Sequence, residues 1–319
     1  MDTVQDMGRY GWQHLGINPG GAMDKMAAQI ANILVGNDTR EAVIELHFPA
    51  SAFFFEQPSL IALSGADFSA TVNGEEIPTM RPVLISKYSI LQFHRVISGA
   101  RAYLAVHGGL KIKKWLNSYS THLKAGAGGY NGRALQKDDE IAFRSTPDLS
   151  SLLEKKEFEV LSWKADDDWG NLNTEEIWAL PGHEWIRLHD RSKENFFNEP
   201  FLITSHSDRM GYHLKGECLK TVTNEEMVST AVSFGTVQLL PDGQLIVLMA
   251  DHQTAGGYPR LAHVISGHHS RLAQMKPGEQ IHFRFTNQQT AEELHIKQQQ
   301  HLVQLQNACR FKLDELLKT

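Results

Sequence analysis

The chain has 319 residues, of which 41% are hydrophobic and 21% are charged, as in globular proteins long enough to form two domains. Its formal net charge of -6 argues against nucleic acid or an anionic membrane surface as the main partner. With only Cys218 and Cys309, the chain has no disulfide framework and no cysteine-based zinc pattern.

The expected location is the cytoplasm. The N-terminal run MDTVQDMGRYG lacks the basic and apolar regions of a secretory signal. No apolar run approaches the roughly 20 residues that a membrane-spanning helix needs. We therefore expect no membrane partner, no nucleic-acid partner and no bound metal.

The first distinctive segment is the N-terminal loop, residues 6–24, which is rich in glycine and carries Arg9, Asn18 and Asp24. Such a composition predicts an ordered loop with little regular structure. Taken alone, its glycines and prolines favour a structural role in turning the chain.

A short helix is predicted next, over residues 25–35, where KMAAQIANILV places Met26, Ile30 and Ile33 on one face before Gly36. Alternating β segments follow, and Asn73-Gly74 between two of them is a strong hairpin signal. The predicted β segments are residues 42–48, 59–64, 68–72, 85–93 and 101–106.

Two lobes are predicted, over residues 1–146 and 177–286. The acidic residues 147–176 between them show little strand pattern and are assigned as a linker. Residues 287–319 lack glycine and proline, and their apolar residues recur at near-helical spacing, which predicts a C-terminal helix. Thr290 and Glu293 are expected to form its capping box. The predicted class is thus mainly β with some α.

The most informative run is FGTVQLLPDGQLIVLMADHQTAGGYPRLAHVI, residues 234–265. Two apolar strands flank Pro241-Asp242-Gly243, which combines the fixed φ, the side-chain acceptor and the flexible glycine of a hairpin turn. The polar loop that follows, residues 251–258, brings a carboxylate, an imidazole, an amide and a hydroxyl together. Gly256 and Gly257 in this loop would let backbone approach a ligand closely.

These residue types predict a site that handles a polar or anionic small molecule. Amide and guanidinium groups suit carboxylate or phosphate, and Asp251 is a candidate base or orienting group. The candidate catalytic residues are Gln238, Asp251, Gln253 and Thr254. The candidate substrate- or anion-binding residues are Arg9, Asn18, Asp24, Asp208, Arg209, Gly256, Gly257 and Tyr258.

Seven motifs in sequence order mark a family resemblance. They are DMGRYGWQHLGINPGGAMD, ANILVGN, SGAD, RAYLAVHGGL, GGYNGRAL, SDRMG and VQLLPDGQLIVLMADHQTAGGYP. The chain resembles, from Thr3 to about Phe285, the KipI-antagonist family. That family is also described as the two subdomains of the biotin-dependent carboxyltransferase of urea carboxylase, and as the C subunit of 5-oxoprolinase.

The resemblance implies two cyclophilin-like β-barrel lobes and an active site completed by a KipI-like partner. With a further, lactam-opening partner, the implied assembly is an ATP-dependent hydrolase that converts 5-oxoproline to glutamate. The implied cofactor is ATP, bound by this chain or elsewhere in the complex, and this chain is expected to be inactive alone. It also implies that residues 251–258 form one wall of the shared site, with the N-terminal loop as their neighbour.

The resemblance leaves open two alternatives to the 5-oxoprolinase function. In the first, a similar module transfers a carboxyl group from carboxybiotin to urea, which would require other polypeptides for the biotin carboxylase and carrier domains. No covalent biotin is expected on this chain, because Lys276 is followed by Pro277-Gly278 and fits an ordinary turn. In the second alternative, the chain is a non-catalytic protein that binds and antagonises a KipI-like kinase inhibitor.

Overall fold

The computed structural model describes residues 1–145, 149–153, 156–166, 176–223 and 227–317. The chain divides into two compact units. The first comprises Met1–Arg9, Asp24–Trp169 and Gln299–Thr319, and the second comprises Tyr10–Met23 and Gly170–Gln298. Within the described residues, no helix is long and apolar enough to cross a membrane.

The first unit consists of two β-sheets and a buried helix. One sheet has six strands in the order β1-β2-β9-β4-β7-β10, and the other has four in the order β3-β8-β5-β6. The strands are β1 (Thr3–Gln5), β2 (Val43–Leu46), β3 (Phe53–Phe55), β4 (Ser59–Asp67), β5 (Ala70–Val72), β6 (Glu75–Glu76), β7 (Pro82–Ile85), β8 (Ser89–Phe93), β9 (Ser98–Val106) and β10 (Phe158–Val160). The helices are α1 (Lys25–Leu34) and α2 (Ser150–Leu153).

Local sequence signals account for much of this unit. Helix α1 buries the apolar face that its spacing predicts, including Ile30 and Ile33, and it packs on β4 and β9. The predicted hairpin at Asn73-Gly74 is confirmed: both residues have positive φ, 52° and 89°, and they join β5 to β6. A type I′ turn needs this conformation at both central positions.

The second unit is built around a closed barrel of seven strands, in the order β11-β18-β15-β16-β13-β12-β19. Its interior is filled by apolar side chains such as Val237, Val247 and Phe283. The strands are β11 (Glu176–Pro181), β12 (Phe201–Ile203), β13 (Gly211–Lys215), β14 (Thr230–Ala231), β15 (Thr236–Leu239), β16 (Leu245–Leu248), β17 (Ala255–Gly256), β18 (Arg260–Val264) and β19 (Gln280–Phe285). The helices are α3 (Asp190–Asn198), α4 (His269–Gln274) and α5 (Gln288–Leu316), of which α5 belongs to the first unit from Gln299 onward.

The predicted hairpin at Pro241-Asp242-Gly243 is also confirmed. The N–H of Gly243 donates to the carbonyl of Leu240 at 3.0 Å, and Asp242 Oδ1 accepts from the N–H of Gln244 at 3.0 Å. Gly243 has φ of 83°, which favours glycine. The turn joins β15 to β16, so the polar loop begins at the end of a strand fixed by its neighbours.

The predicted fold class, mainly β with some α and a C-terminal helix, is confirmed. Of the two expected β-barrel lobes, the second unit contains a closed barrel, whereas the first unit consists of sheets of six and four strands. Two further details differ from the sequence-based expectation. Part of the segment assigned as a linker is structured, because β10 pairs with β7 in the first unit's sheet; residues 147–148, 154–155 and 167–175 lie outside the described residues.

The start of the C-terminal helix is the second difference. The Thr290–Glu293 capping box is wrong, because α5 begins earlier, at Gln288. Asn287 supplies the cap: its Oδ1 accepts from the N–H of Thr290 at 2.8 Å. Asparagine is as good a cap as serine or threonine, and the apolar spacing alone did not separate the two positions.

The stability of the second unit is expected to depend on pH through His268. This residue is 3% exposed, and its ring stacks on Trp178 with centroids 5.4 Å apart. Burial, together with the positive charge of Arg271, lowers the pKa of His268 to about 4. Because the folded state holds the ring neutral, its contribution is fully present above the unfolded pKa of about 6.5 and is lost as pH falls toward 4.

The loss should reach at most about 1.4 kcal/mol for each pH unit in that window. Urea unfolding of wild type and His268→Asn between pH 7 and pH 4 measures it, since effects of other groups cancel in the difference. The stability advantage of wild type should shrink with falling pH. A constant difference across the range would contradict the prediction.

Candidate functional site

The candidate site is built on an ion pair between Arg209 and Asp251 in the second unit. Asp251 follows β16 after Met249 and Ala250, and Arg209 precedes β13, the antiparallel partner of β16. The guanidinium makes a two-point contact, with Nε 2.8 Å from Oδ2 and Nη2 3.2 Å from Oδ1. Both side chains are mostly buried, 10% and 14% exposed. Because both carboxylate oxygens are engaged, the geometry favours an orienting role for Asp251 over a free base.

The same pair holds part of the N-terminal loop. Arg209 Nη2 donates to the carbonyl of Gly21 at 2.6 Å. Asn18 Nδ2 donates to the carbonyl of Asp251 at 2.9 Å, and Asn18 is 7% exposed. Residues 10–23 belong to the second unit, and these two hydrogen bonds place them beside the start of the polar loop. The predicted neighbours therefore do lie together, at Asn18, Gly21, Arg209 and Asp251.

Two of the predicted catalytic residues converge on Gly256. A Cβ atom built on Gly256 would lie 2.7 Å from Nε2 of Gln238 and 3.0 Å from Nε2 of Gln253. Gln238, on β15, is 1% exposed, whereas Gln253 is exposed. The pair of carboxamides therefore extends from the buried floor of the site to its surface.

The other predicted residues of the second unit surround this pair or lie in adjacent turns. Thr254 is half-buried and its carbonyl accepts from the N–H of Val232 at 3.2 Å. Tyr258 is 40% exposed, and its carbonyl accepts a 3.4 Å hydrogen bond from Gln238 Nε2. Asp208 is exposed and caps a turn, since its Oδ1 accepts from the N–H of Met210 at 2.7 Å.

Arg9 and Asp24 lie in the first unit, and the structure gives each a local partner. Arg9 is 1% exposed, donates to the carbonyl of Ser120 and lies 4.8 Å over the ring of Trp115. Asp24 is the N-cap of α1, accepting from the N–H of Ala27 at 3.0 Å. These are architectural contacts, and the predicted ligand-binding roles of the two residues stay predictions.

A buried polar cluster continues from Asp24. Tyr103 Oη accepts from the N–H of Asp24 and donates to Glu45 Oε2, both at 2.8 Å. Burial and the negative charges of Glu45 and Asp24 raise the pKa of Tyr103. The phenol therefore remains protonated and can act as a fixed hydrogen-bond bridge.

Sequence reasoning missed two features that position the polar loop. Strand β14 pairs with β17, so Thr230 and Ala231 flank Gly256 and Ala255. These strands have two residues each, too short for any periodic pattern to reveal. The structure therefore places residues 230–231 along one side of the polar loop.

The second missed feature is the ion pair of Glu184 and Arg260, at the far end of the polar loop. Nε and Nη2 of Arg260 lie 3.0 and 2.9 Å from the two carboxylate oxygens, and the backbone N–H of Arg260 donates to Oε2 at 2.9 Å. Burial opposes ionisation of Glu184, but the hydrogen bonds from Arg260 outweigh it, so the pKa of Glu184 is lowered. The loop is thus clamped by a two-point ion pair at each end.

The glycines of the GGYNGRAL motif, residues 128–135 of the first unit, are closely packed. Cβ atoms on Gly128, Gly129 and Gly132 would lie 2.2 Å or less from Ser120, Thr121 and Gly126 respectively. These three positions therefore require glycine. Among the described residues, no group of three or more His, Cys, Asp or Glu side chains could hold a metal ion.

A surface groove of about 470 Å³ also lies in the second unit, lined by the end of β18 and the start of α5. Its polar wall includes His263 and His295, and its apolar wall includes Val264 and Ile296. Burial and the charge of Arg260 lower the pKa of His263. None of the predicted site residues lines this groove, and the polar loop remains the stronger candidate.

Comparison with known proteins agrees with the family resemblance that the sequence motifs indicate. The family model described as "Carboxyltransferase domain, subdomain A and B" matches residues 15–285. The chain is 37% identical over 303 residues to the 5-oxoprolinase C subunit of Escherichia coli (strain K12), covering 95% of this chain and 94% of that protein. It is 34% identical to the 5-oxoprolinase C subunit of Haemophilus influenzae, with the same two coverages.

Among solved structures, the chain is similar to the K. lactis urea amidolyase, with a TM-score of 0.83 and 26% identity. The match covers 95% of this chain but spans only 19% of the length of that protein. The predicted family resemblance is confirmed by these matches.

Proposed function

Because the chain belongs to the carboxyltransferase family of subdomains A and B, we propose that it is a component of an ATP-dependent 5-oxoprolinase complex. The observation that carries the proposal is the 37% identity to a protein named as the C subunit of 5-oxoprolinase, over 94% of its length. A match of nearly full length on both sides supports an equivalent component rather than a shared module.

The proposed reaction is 5-oxoproline, ATP and water to glutamate, ADP and phosphate. In this proposal the chain is inactive alone, a KipI-like partner completes the site, and a lactam-opening partner joins them. ATP is proposed to bind to this chain or elsewhere in the assembled complex. The proposed contribution of this chain is the wall formed by Gln238, Asp251, Gln253 and Thr254.

Reconstitution tests the proposal. The chain is mixed with candidate KipI-like and lactam-opening partners, and glutamate, ADP and phosphate are measured with 5-oxoproline and ATP. We expect turnover only when all three proteins are present, with one glutamate released for each ATP consumed. A stable ternary complex that shows no turnover would contradict the proposal.

The second candidate function is carboxyl transfer in a biotin-dependent carboxylase. It is favoured by the structural likeness to urea amidolyase, at a TM-score of 0.83. This function would also require biotin carboxylase and carrier domains, and the chain spans 19% of the length of that relative. It predicts exchange of a carboxyl group with free biotin, which the 5-oxoprolinase assignment does not.

A further inference from the structure

We propose that the open edge of strand β3, together with the aromatic side chains beside it, is the surface through which two copies of this chain form a dimer. Two β3 strands would pair antiparallel about a two-fold axis at Phe54, which would join two four-stranded sheets into one sheet of eight strands. The inference is independent of the proposed function, because it uses none of the predicted site residues.

Strand β3 presents main-chain groups at the edge of its sheet. The order β3-β8-β5-β6 gives β3 one neighbouring strand among the described residues. Ile90 lies opposite Phe54 in the register of β3 with β8. The N–H of Ile90 donates to Asn73 Oδ1 at 2.9 Å, and its carbonyl accepts from the N–H of Asn73 at 3.0 Å, both on the β5 side. The N–H and C=O of Phe54 therefore point away from β8, toward the open edge.

Three exposed apolar side chains lie beside this edge and form what we call the β3 patch: Phe54, Tyr88 and Ile90. They are 58%, 62% and 41% exposed. The rings of Phe54 and Tyr88 stack with centroids 6.1 Å apart and planes 14° apart, so this part of the patch is already ordered. Isolated apolar side chains are common on protein surfaces, but a contiguous set at an open strand edge indicates a protein partner.

The edge is short, which favours a closed pair of strands over an open-ended assembly. Strand β3 comprises Phe53–Phe55, the chain bends at Glu56 and Gln57, and Pro58 has no N–H to donate. Within the strand, Phe54 alone directs both main-chain groups outward. A two-fold axis at Phe54 uses both groups, because the N–H of each copy donates to the C=O of the other.

The side chains along the edge are complementary to themselves in this register. Phe54 would lie opposite Phe54 of the second copy, and aromatic cross-strand pairs stabilise sheets. Just beyond the strand ends, Glu56 would lie opposite Ala52 of the second copy. Ala52 is small, so the carboxylate could reach the exposed carboxamide of Gln92 on the second copy's β8 and accept a charge-assisted hydrogen bond.

Charge also selects this register over its neighbour. A two-fold axis at Glu56 would place two carboxylates opposite each other, and like charges directly opposite destabilise a strand pair. An axis at Phe54 separates the two carboxylates and places each beside an uncharged residue. A second copy of this chain is therefore the occupant that the edge fits.

We expect the dimer to be weak and concentration-dependent. The contact is limited to one short strand and the β3 patch of each copy, which is smaller than a standard protein interface. We therefore expect a dissociation constant of about 1 μM or weaker.

Sedimentation velocity of the full chain from about 1 to 100 μM tests the inference. Wild type should change from monomer toward dimer over this range. Phe54→Lys and Phe54→Glu should each raise the dissociation constant at least about 30-fold, because each places two like charges at the axis. An equimolar mixture of the two variants should recover the dimer, because lysine then faces glutamate. This rescue requires residue 54 to meet residue 54 of the second copy.

Phe311→Lys is the matched control. Phe311 lies on α5 in the first unit and is 62% exposed, so the variant makes the same change of residue at a similar exposure. It should leave the dissociation constant within about twofold of wild type, as for other surface substitutions. Phe54→Ala, which adds no charge, should weaken the dimer by about tenfold and keeps the test decisive if a charge at residue 54 prevents folding.

Wild type that remains monomeric at about 100 μM would overturn the inference. So would a dimer that all three Phe54 variants leave intact, or a mixture of Phe54→Lys and Phe54→Glu that remains monomeric while both variants are folded. Loss of the dimer in Phe311→Lys alone would place the interface on α5 instead. If Phe54→Lys blocks binding of a KipI-like subunit but leaves self-association unchanged, the edge binds that subunit and a second copy is the wrong occupant.

Discussion

Replacing Arg209 with alanine is expected to lower the free energy of unfolding by about 3 kcal/mol. The substitution removes a two-point contact with Asp251, at 2.8 and 3.2 Å, and the 2.6 Å hydrogen bond to the carbonyl of Gly21. It leaves the carboxylate of Asp251, only 14% exposed, without its counter-charge. Such a loss usually costs about 3 to 5 kcal/mol, and partial access of water places this pair at the lower end. Urea unfolding at neutral pH measures the difference.

Arg284→Ala is the matched control in the same unit. Arg284 Nη1 lies 3.2 Å from Glu176 Oε2, but the two side chains are 60% and 38% exposed. Exposed pairs contribute at most about 1 kcal/mol, because water screens both charges in either state. Arg209→Lys should recover less than half of the lost stability, since an ammonium group cannot make the two-point contact. Equal effects of Arg209→Ala and Arg284→Ala would show that Arg209 does not hold the site together.

Asp251→Asn is expected to reduce turnover of the reconstituted complex by about 100-fold without preventing assembly, because the groups that Asp251 orients would be misplaced. Asparagine keeps the shape of the side chain but removes the charge that faces Arg209. The backbone contacts of residue 251 remain: its N–H donates to the carbonyl of Arg209 at 2.7 Å, and its carbonyl accepts from Asn18 at 2.9 Å. Because the substitution also leaves the guanidinium of Arg209 without its counter-charge, urea unfolding of the variant shows how much of the lost activity comes from lost stability.

Glutamate release measures turnover in this experiment, and size-exclusion chromatography measures assembly. Asp242→Asn is the control, because Asp242 is an exposed carboxylate in the turn between β15 and β16 whose Oδ1 accepts from the N–H of Gln244 at 3.0 Å. Its turnover should stay within about threefold of wild type, since surface substitutions change little. A regulatory binder would instead keep its full effect on its partner after Asp251→Asn. That outcome would favour the non-catalytic alternative.

The second ion pair, between Glu184 and Arg260, stabilises the second unit for the same reason as the pair of Arg209 and Asp251: each charge offsets the cost of burying the other. Glu184 is 2% exposed and is held by two guanidinium contacts and a backbone N–H of Arg260. The two ion pairs lie at opposite ends of residues 251–258, so both ends of the loop are fixed while its centre carries exposed side chains. A site whose supporting contacts are buried can present its binding groups in one geometry.

Several features of this protein could be predicted from the sequence because they depend on neighbours along the chain. The apolar spacing of α1 and the turns at Asn73-Gly74 and Pro241-Asp242-Gly243 are local, and the structure confirms each of them. The grouping of polar residues at 251–258 is also a property of contiguous sequence. The family motifs added the expectation of two cyclophilin-like β-barrel lobes.

Three features could not be predicted, because their sequence patterns are too short or fit more than one position. The two-residue strands β14 and β17 are stabilised by each other rather than by their own propensity. The cap of α5 could be Asn287 or Thr290 by residue type, and only the observed hydrogen bond to Asn287 decides between them. Glu184 gave no signal, because a single glutamate is normally a surface residue.

The sequence by itself determined the local elements of this protein and the types of chemical group that its polar loop carries. Only the tertiary structure decided which distant residues meet: Asn18 and Gly21 with Asp251 and Arg209, and Gln238 with Gln253 over Gly256. The physical reason is that local preference acts over a few residues. Contacts between segments more than 180 residues apart in sequence are selected by burial and hydrogen bonding of the whole unit, and no single segment encodes them.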